Sequence, residues 1–219
     1  MTHSRLVDLS HTIQDGLVTY PGGYPVGVTA HLTREASQSH YADGTTFQID
    51  RIDMTGPTGT YLDAPFHSHA DMTDLAGLPL TSTAGLDGIV VKAPPDGGLG
   101  PELFQGKNIT GKAVLVRTGF SDHFGTDRYF QDPPFLTRET AEYLAGNKAA
   151  LVGVDFMNVD STNDPARPVH TILLGRNIPI VEHLTNLDQL PDKGFLFFAV
   201  PPKVKSMGSI TVRAFALID

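Results

Sequence analysis

Glycine and proline interrupt this chain so often that few apolar segments between them are long enough to form anything but a strand. Of 219 residues, 22 are glycine and 16 proline. Proline inside a sheet removes a ladder donor, so the runs it bounds become short strands joined by turns. Residues 6–10 read as an opening strand, and Tyr20-Pro21-Gly22-Gly23-Tyr24-Pro25 as a loop of the aromatic-rich kind that lines pockets. Residues 46–54 carry Phe47, Ile49 and Ile52 among polar residues, a half-buried strand pattern that leads into the turn Gly56-Pro57-Thr58-Gly59. Residues 88–92 and 112–118 are β-branched runs typical of strands covered on both faces, and are expected in a central sheet.

One helix stands out after Pro133-Pro134. Thr137 supplies its N-cap, Glu139 lies near the positive end of the dipole, Ala141, Leu144 and Ala145 share a face, and Gly146 stops it. Residues 149–154 follow as a buried strand ending at Asp155. Residues 178–181, 195–200 and 210–217 add three more, with Pro201-Pro202 turning the chain between the last two. No repeat or linker divides the sequence, so the expectation is a strand-heavy α/β fold in a single domain spanning 1–219.

Sixteen Lys plus Arg against 24 Asp plus Glu give a net charge of -8, which argues against nucleic acid or an anionic membrane as partner. No apolar run approaches the roughly 20 residues needed to span a bilayer, and the first ten residues lack the apolar core of a signal peptide. A cytoplasmic, soluble protein acting on a small molecule is expected. The sequon Asn108-Ile109-Thr110 is then a chance match. Without cysteine, any metal must sit on His, Asp or Glu.

Asp63, His67 and His69 lie within seven residues around Pro65, whose fixed φ stiffens the segment that aims their side chains. His170 and Glu182 stand in apolar surroundings, where a charge needs a partner or a metal. Spacing leaves two readings open: a ligand set, or a Glu182–Arg176 ion pair with a structural His170. His69 is expected at the surface, and His183, pointing away from Glu182 in a strand, at the surface or an interface. His11 could rim a pocket with Tyr20 and Tyr24, and Phe47, Phe66 and Phe156 could line one, although core is the commoner fate of phenylalanine. Gly97-Gly98-Leu99-Gly100 lacks the Lys-Ser/Thr of a phosphate-binding loop and reads as loop. Gly119-Phe120-Ser121 has His123 where a nucleophile elbow needs glycine, and Ser121 and His123 belong to an expected exposed loop over 121–128.

The segment Pro57-Thr58-Gly59-Thr60-Tyr61-Leu62-Asp63-Ala64-Pro65-Phe66-His67 carries a family resemblance, supported by Val7-Asp8-Leu9-Ser10-His11, Tyr20-Pro21-Gly22, Gly153-Val154-Asp155 with Asp160-Ser161, the stretch from His170 to Glu182, and Asn186-Leu187-Asp188. The chain resembles the cyclase family that includes bacterial kynurenine formamidases and isatin hydrolases. That family's pattern is H-x-G-T-H-x-D-x-P-x-H, in which the first two histidines and the aspartate bind a divalent metal and the last histidine is placed as general base. Here Pro57 and Tyr61 occupy the two ligand-histidine positions, while Asp63 and His67 are retained. The resemblance further implies a metal set of Asp63, His170 and Glu182, and makes the segment from Asp155 to Asp160 a pocket wall. It also implies a single compact swivelling β/α/β-type domain with a mixed, strand-rich sheet, assembled as a homodimer or homotetramer.

Three functions are compatible with these residues. One Zn or Mn ion at Asp63, His170 and Glu182, with His67 as base, would hydrolyse a small cyclic or N-acyl amide or a lactone. Without metal, Tyr61 and His67, with Asp63 orienting the imidazole, would form an acid/base pair for cyclisation or dehydration. The third possibility is a non-catalytic protein that binds a small molecule.

Overall fold

The computed structural model describes residues 4–218. Its strands are β1 (Arg5–Asp8), β2 (Gly27–Leu32), β3 (Ile49–Asp53), β4 (Tyr61–Asp63), β5 (Ala84–Lys92), β6 (Gly98–Leu99), β7 (Ala113–Arg117), β8 (Phe135–Leu136), β9 (Leu151–Val154), β10 (Ile180–Glu182), β11 (Lys193–Phe198), β12 (Ser209–Thr211) and β13 (Phe215–Ile218). Three α-helices, α1 (Arg34–Ser37), α2 (Arg138–Gly146) and α3 (Pro168–Leu174), are joined by short 3-10 turns. No described helix is long and apolar enough to cross a membrane.

Nine strands form one mixed sheet in the order β1-β13-β11-β5-β7-β9-β10-β4-β12. β5, β7, β9 and β10 run parallel, and the flanking pairs are antiparallel. The sheet cannot be flat. β12 and β13 are seven strand spacings apart, about 34 Å at the usual ~4.8 Å separation. Only residues 212–214 connect them in sequence, a reach of about 14 Å when fully extended. The sheet therefore curls until its two edges meet. Val212 donates to the carbonyl of Thr60 beside β4, and Leu9, just past β1, donates to the carbonyl of Ala214. Ser10 Oγ accepts from the Ala214 amide at 2.7 Å.

Central strands bury both faces, as their β-branched composition predicts. Val114 and Val116 of β7 pack on the side covered by α2 and α3, with Val152, Val154, Ala141, Leu144 and Leu173. Ala113 and Leu115 point into the curl with Leu62, Leu151, Val181, Phe195 and Phe197. On that inner side Gly153 leaves no room for a methyl group, since a Cβ would stand 2.7 Å from Leu115 and Leu184. α2 begins at the expected cap, with Thr137 accepting from the amide of Thr140 and Glu139 in the first turn.

Three expectations from sequence are corrected. Residues 210–217 form not one strand but two, β12 and β13, because the chain bends at 212–214 to pass from one sheet edge to the other. Residues 46–54 are not half-buried: β3 pairs only with β2, in a separate ribbon that leaves Ile49 46% and Ile52 52% exposed. Alternation there marks a face with nothing packed on it. Gly98 and Leu99 form β6, paired in parallel with β8, where a loop is expected.

Ser10→Ala should leave the Ala214 amide without its partner at the closure seam. We expect a loss of about 1 kcal/mol, seen as a lower urea midpoint with unchanged m-value.

Candidate active site

β4 lies between β10 and β12, and register alone assembles the site. Tyr61 faces Glu182 on one side and Thr211 on the other, and Asp63 faces Ile180 and Ser209. Side chains two apart share a face of a strand, so Tyr61, Asp63, Glu182 and Ser209 converge on one side of the sheet. His67 follows four residues after Asp63, at the end of a 3-10 turn begun by Pro65. The backbone of Gly208 presses against that turn, and a Cβ there would come within 2.6 Å of the His67 Cα. His170 enters from α3.

One ligand atom from each of Asp63, His67 and His170 lies within 4.8 Å of the others. Oδ2 of Asp63 is 3.5 Å from Nε2 of His170, and Oε1 of Glu182 is 3.7 Å from the same nitrogen. Tyr61 donates its hydroxyl proton to Oε2 of Glu182. The five residues singled out in the sequence are thus contiguous in space. Glu182 has no pairing with Arg176: its Oε1 accepts the amide of Val159 at 2.6 Å. His69 stands apart from the donor group, its Nε2 3.0 Å from the carbonyl of Thr171.

The surroundings assign protons. Burial disfavours a charged His170, but Asp160, Asp63 and Glu182 outweigh it and lift the ring to about 9. Nδ1 of His170 donates to Oδ2 of Asp160 at 2.6 Å, which leaves Nε2 facing Asp63. Burial would raise the Asp63 carboxyl, yet His170, His67 and Ser209 together hold it below the ordinary range. Ser209 gives its one hydroxyl proton to Oδ1 of that carboxylate. Nδ1 of His67, 2.8 Å from Ser209 Oγ, must then be the donor in that pair. Nε2 of His67 keeps a free lone pair, and its side chain is 33% exposed. Partial burial lowers the His67 pKa, against the pull of Asp63. Burial together with the nearby charge of Asp63 raises Glu182 to about 6 despite His170 and Tyr61.

A buried polar chain continues behind Glu182. Tyr20 reaches from its loop to the hydroxyl of Tyr61 and lies 3.2 Å from Nε2 of His183, whose Nδ1 is 3.0 Å from the Tyr129 hydroxyl. His183, expected at the surface or an interface, is fully buried within the chain. β10 ends at Glu182, and a left-handed φ of 57° at His183 turns its ring into an aromatic cluster with Tyr129 and Phe124 instead of outward. His11 stacks on Phe124 at 3.8 Å. Phe156 is core, while Phe47 and Phe66 are partly exposed. Asp155 accepts the amides of Thr118 and Gly119, and so caps the turn after β7. Ser121 is buried rather than looped out, since the chain coils into a 3-10 turn over Phe120–His123. Sequence reasoning overlooked Ser209 and Arg167. Ser209 is found only through the β4–β12 register, and the Arg167 Nη2 lies 3.1 Å from Nε2 of His170.

A divalent ion fits this donor set. Oδ2 of Asp63 is buried with no hydrogen-bond partner. A carboxylate lone pair left bare among imidazole nitrogens is what a cation would satisfy.

The model of the Cyclase family, described as "Putative cyclase", matches residues 7–161. The chain belongs to that family. Kynurenine formamidase from Bacillus cytotoxicus is 29% identical over 98% of both chains. Isatin hydrolase A from Labrenzia aggregata, bound to benzyl benzoate, superposes with a TM-score of 0.84 at 24% identity, covering 98% of this chain and 94% of its own. Isatin hydrolase A from Ralstonia solanacearum gives 0.82 at 25% identity, over 99% and 92%. The curled mixed sheet with few helices is therefore a cyclase-family fold.

Burial lowers the His183 pKa to about 3, so between pH 6.5 and 3 the unfolded chain holds a proton that the folded chain lacks. The stability this contributes is complete above 6.5 and falls as the pH drops toward 3. From pH 6.5 to 5 the wild type should lose about 2 kcal/mol more than His183→Gln, measured by urea unfolding at each pH. Equal losses would disprove it.

Proposed function

We propose that this protein hydrolyses a small cyclic or N-acyl amide, or a lactone, at a site holding one Zn or Mn ion. The observation that carries this is the bare, buried Oδ2 of Asp63 beside Nε2 of His170. Family membership and the hydrolase names of the relatives support it.

Asp63 and His170 would hold the ion, with Glu182 as the neighbouring carboxylate. Bound there, it would polarise the substrate carbonyl and bring the pKa of water to roughly 7. His67 suits the base: it is the solvent-facing member of the donor group, Ser209 fixes its tautomer, and its Nε2 is free. It accepts the proton of a water attacking the carbonyl carbon and returns it to the leaving nitrogen or oxygen as that bond breaks. Asp160 holds the His170 ring through Nδ1, as carboxylates commonly do behind ligand histidines. Tyr61 keeps Glu182 in place.

Metal-free acid/base work by Tyr61 with His67 has less support. Among the described residues no hydrogen bond joins the two, and the Tyr61 proton is committed to Glu182. Burial and the Glu182 charge push the phenol well above its usual value. For assembly we propose a homodimer or homotetramer, with the exposed Val28, Ile49 and Ile52 of the β2–β3 ribbon as available contact surface.

Elemental analysis after chelation and reloading should find one divalent ion per chain. Asp63→Asn and His170→Gln should lose the ion, whereas His67→Gln should keep it and lose about 10²- to 10⁴-fold in kcat. Activity that survives exhaustive chelation and vanishes in Tyr61→Phe would reverse the assignment in favour of the metal-free reading.

A further inference from the structure

Arg167 sits where local physics disfavours it. Its backbone is left-handed, with φ 43° and ψ 58°, a region that bulky residues rarely enter outside turns and functional sites. It stands at the N-cap of α3 and makes no side-chain cap hydrogen bond. Ser, Thr, Asp or Asn suit that position, and a cation opposes the positive end of the helix. Capping falls instead to Asp160, which accepts the amides of Val169 and His170.

What this backbone achieves is placement of the guanidinium. Nη2 lies 3.2 Å from Nδ1 and 3.1 Å from Nε2 of His170, so the group rests against the ring that faces Asp63. Arg167 is exposed, and among the described residues no carboxylate comes within 4.0 Å of it. Its Nε and Nη1 donors likewise have no hydrogen-bond partner among the described residues. The chain carries a net charge of -8, and the site contains Asp63, Asp160 and Glu182, so a cation at its rim favours the approach of an anionic substrate. A guanidinium with free donors on the solvent side of such a site matches a carboxylate, which it can hold through two parallel bonds.

We propose that Arg167 binds a carboxylate carried by the substrate, and that the preferred substrates are small amides or lactams with that carboxylate a few bonds from the scissile carbonyl. The inference rests on the amide-hydrolase reading given above. It adds a specificity-determining residue and narrows the substrate class. A carboxylate gripped by a group that touches the His170 ring stands next to the carbonyl under attack, so recognition and chemistry share one small volume.

Formanilide and its ortho-carboxylate, N-formylanthranilate, differ only in the recognised group. The wild type should favour the carboxylate by about 10- to 100-fold in kcat/KM. Arg167→Gly, which suits the left-handed backbone, should bring that ratio near 1, chiefly through KM. Arg167→Lys should restore part of it. A merely structural role would lower both substrates alike and keep the ratio, and that result, or the absence of any preference in the wild type, overturns the proposal. If neither anilide is hydrolysed, the amide-hydrolase reading fails on its own account. Calorimetric titration with anthranilate then decides for Arg167: binding about tenfold weaker or more in Arg167→Gly supports carboxylate recognition, and equal binding sinks it.

Discussion

The insertion of three-residue β4 between β10 and β12 is the constraint on which the site depends. Hydrogen bonding on both edges fixes its register twice, once against Glu182 and once against Ser209. A slip of one residue would turn Tyr61 and Asp63 to the opposite face and bring Leu62 into their place. The curl of the sheet makes the double pairing possible, because only a sheet closed on itself brings the last strands of the chain to the edge of β4. Topology and chemistry are therefore not separable here: the segment 212–214 that seals the sheet also follows directly from the strand that carries Ser209.

Burying Asp63, Glu182, His170 and Asp160 together is tolerable only because each supplies what the next lacks. An isolated buried charge would oppose folding by several kcal/mol. Asp160 shows how the compensation is shared, since one carboxylate caps α3 and orients the His170 ring through Nδ1. The ring is thereby oriented by the same bonds that start its helix. Asp63 is the exception. Its Oδ1 accepts from Ser209, whereas its Oδ2 has no hydrogen-bond partner and only faces Nε2 of His170 at 3.5 Å, which leaves an acceptor that a cation would satisfy.

Much of this was legible in the sequence because it was local. The cap at Thr137, the doubly buried runs of β7 and β9, and the group of Asp63 and His67 around Pro65 all follow from spacing within a few residues. Charged groups among apolar neighbours mark His170 and Glu182 as anomalous, but only the family resemblance implied that they converge on Asp63. Ser209 gave no such signal, since a serine in a short strand is unremarkable until β12 is known to lie against β4. Residues 210–217 misled for the same reason: nothing local says that a hydrophobic stretch must break to join two edges of a curled sheet. His183 failed differently. Strand alternation points it away from Glu182, but the strand ends there, and the left-handed backbone at His183 swings the ring back beside Tyr20 and Tyr61.

Tyr61 shows how a site can change without losing its frame. A phenol cannot readily serve as a neutral nitrogen ligand, since its unperturbed pKa is near 10 and burial raises it further here. What it can do is give a proton to Glu182 and take support from Tyr20, which in turn contacts His183. Proton count makes the direction of the chain definite. The carboxylate accepts from Tyr61, so Tyr61 accepts from Tyr20, and a neutral His183 donates from Nε2 to Tyr20 while Nδ1 accepts from Tyr129. Every donor points toward Glu182. A carboxylate held by such a chain is stabilised by neutral dipoles at Oε2, while its Oε1 takes the Val159 amide and faces Nε2 of His170 at 3.7 Å.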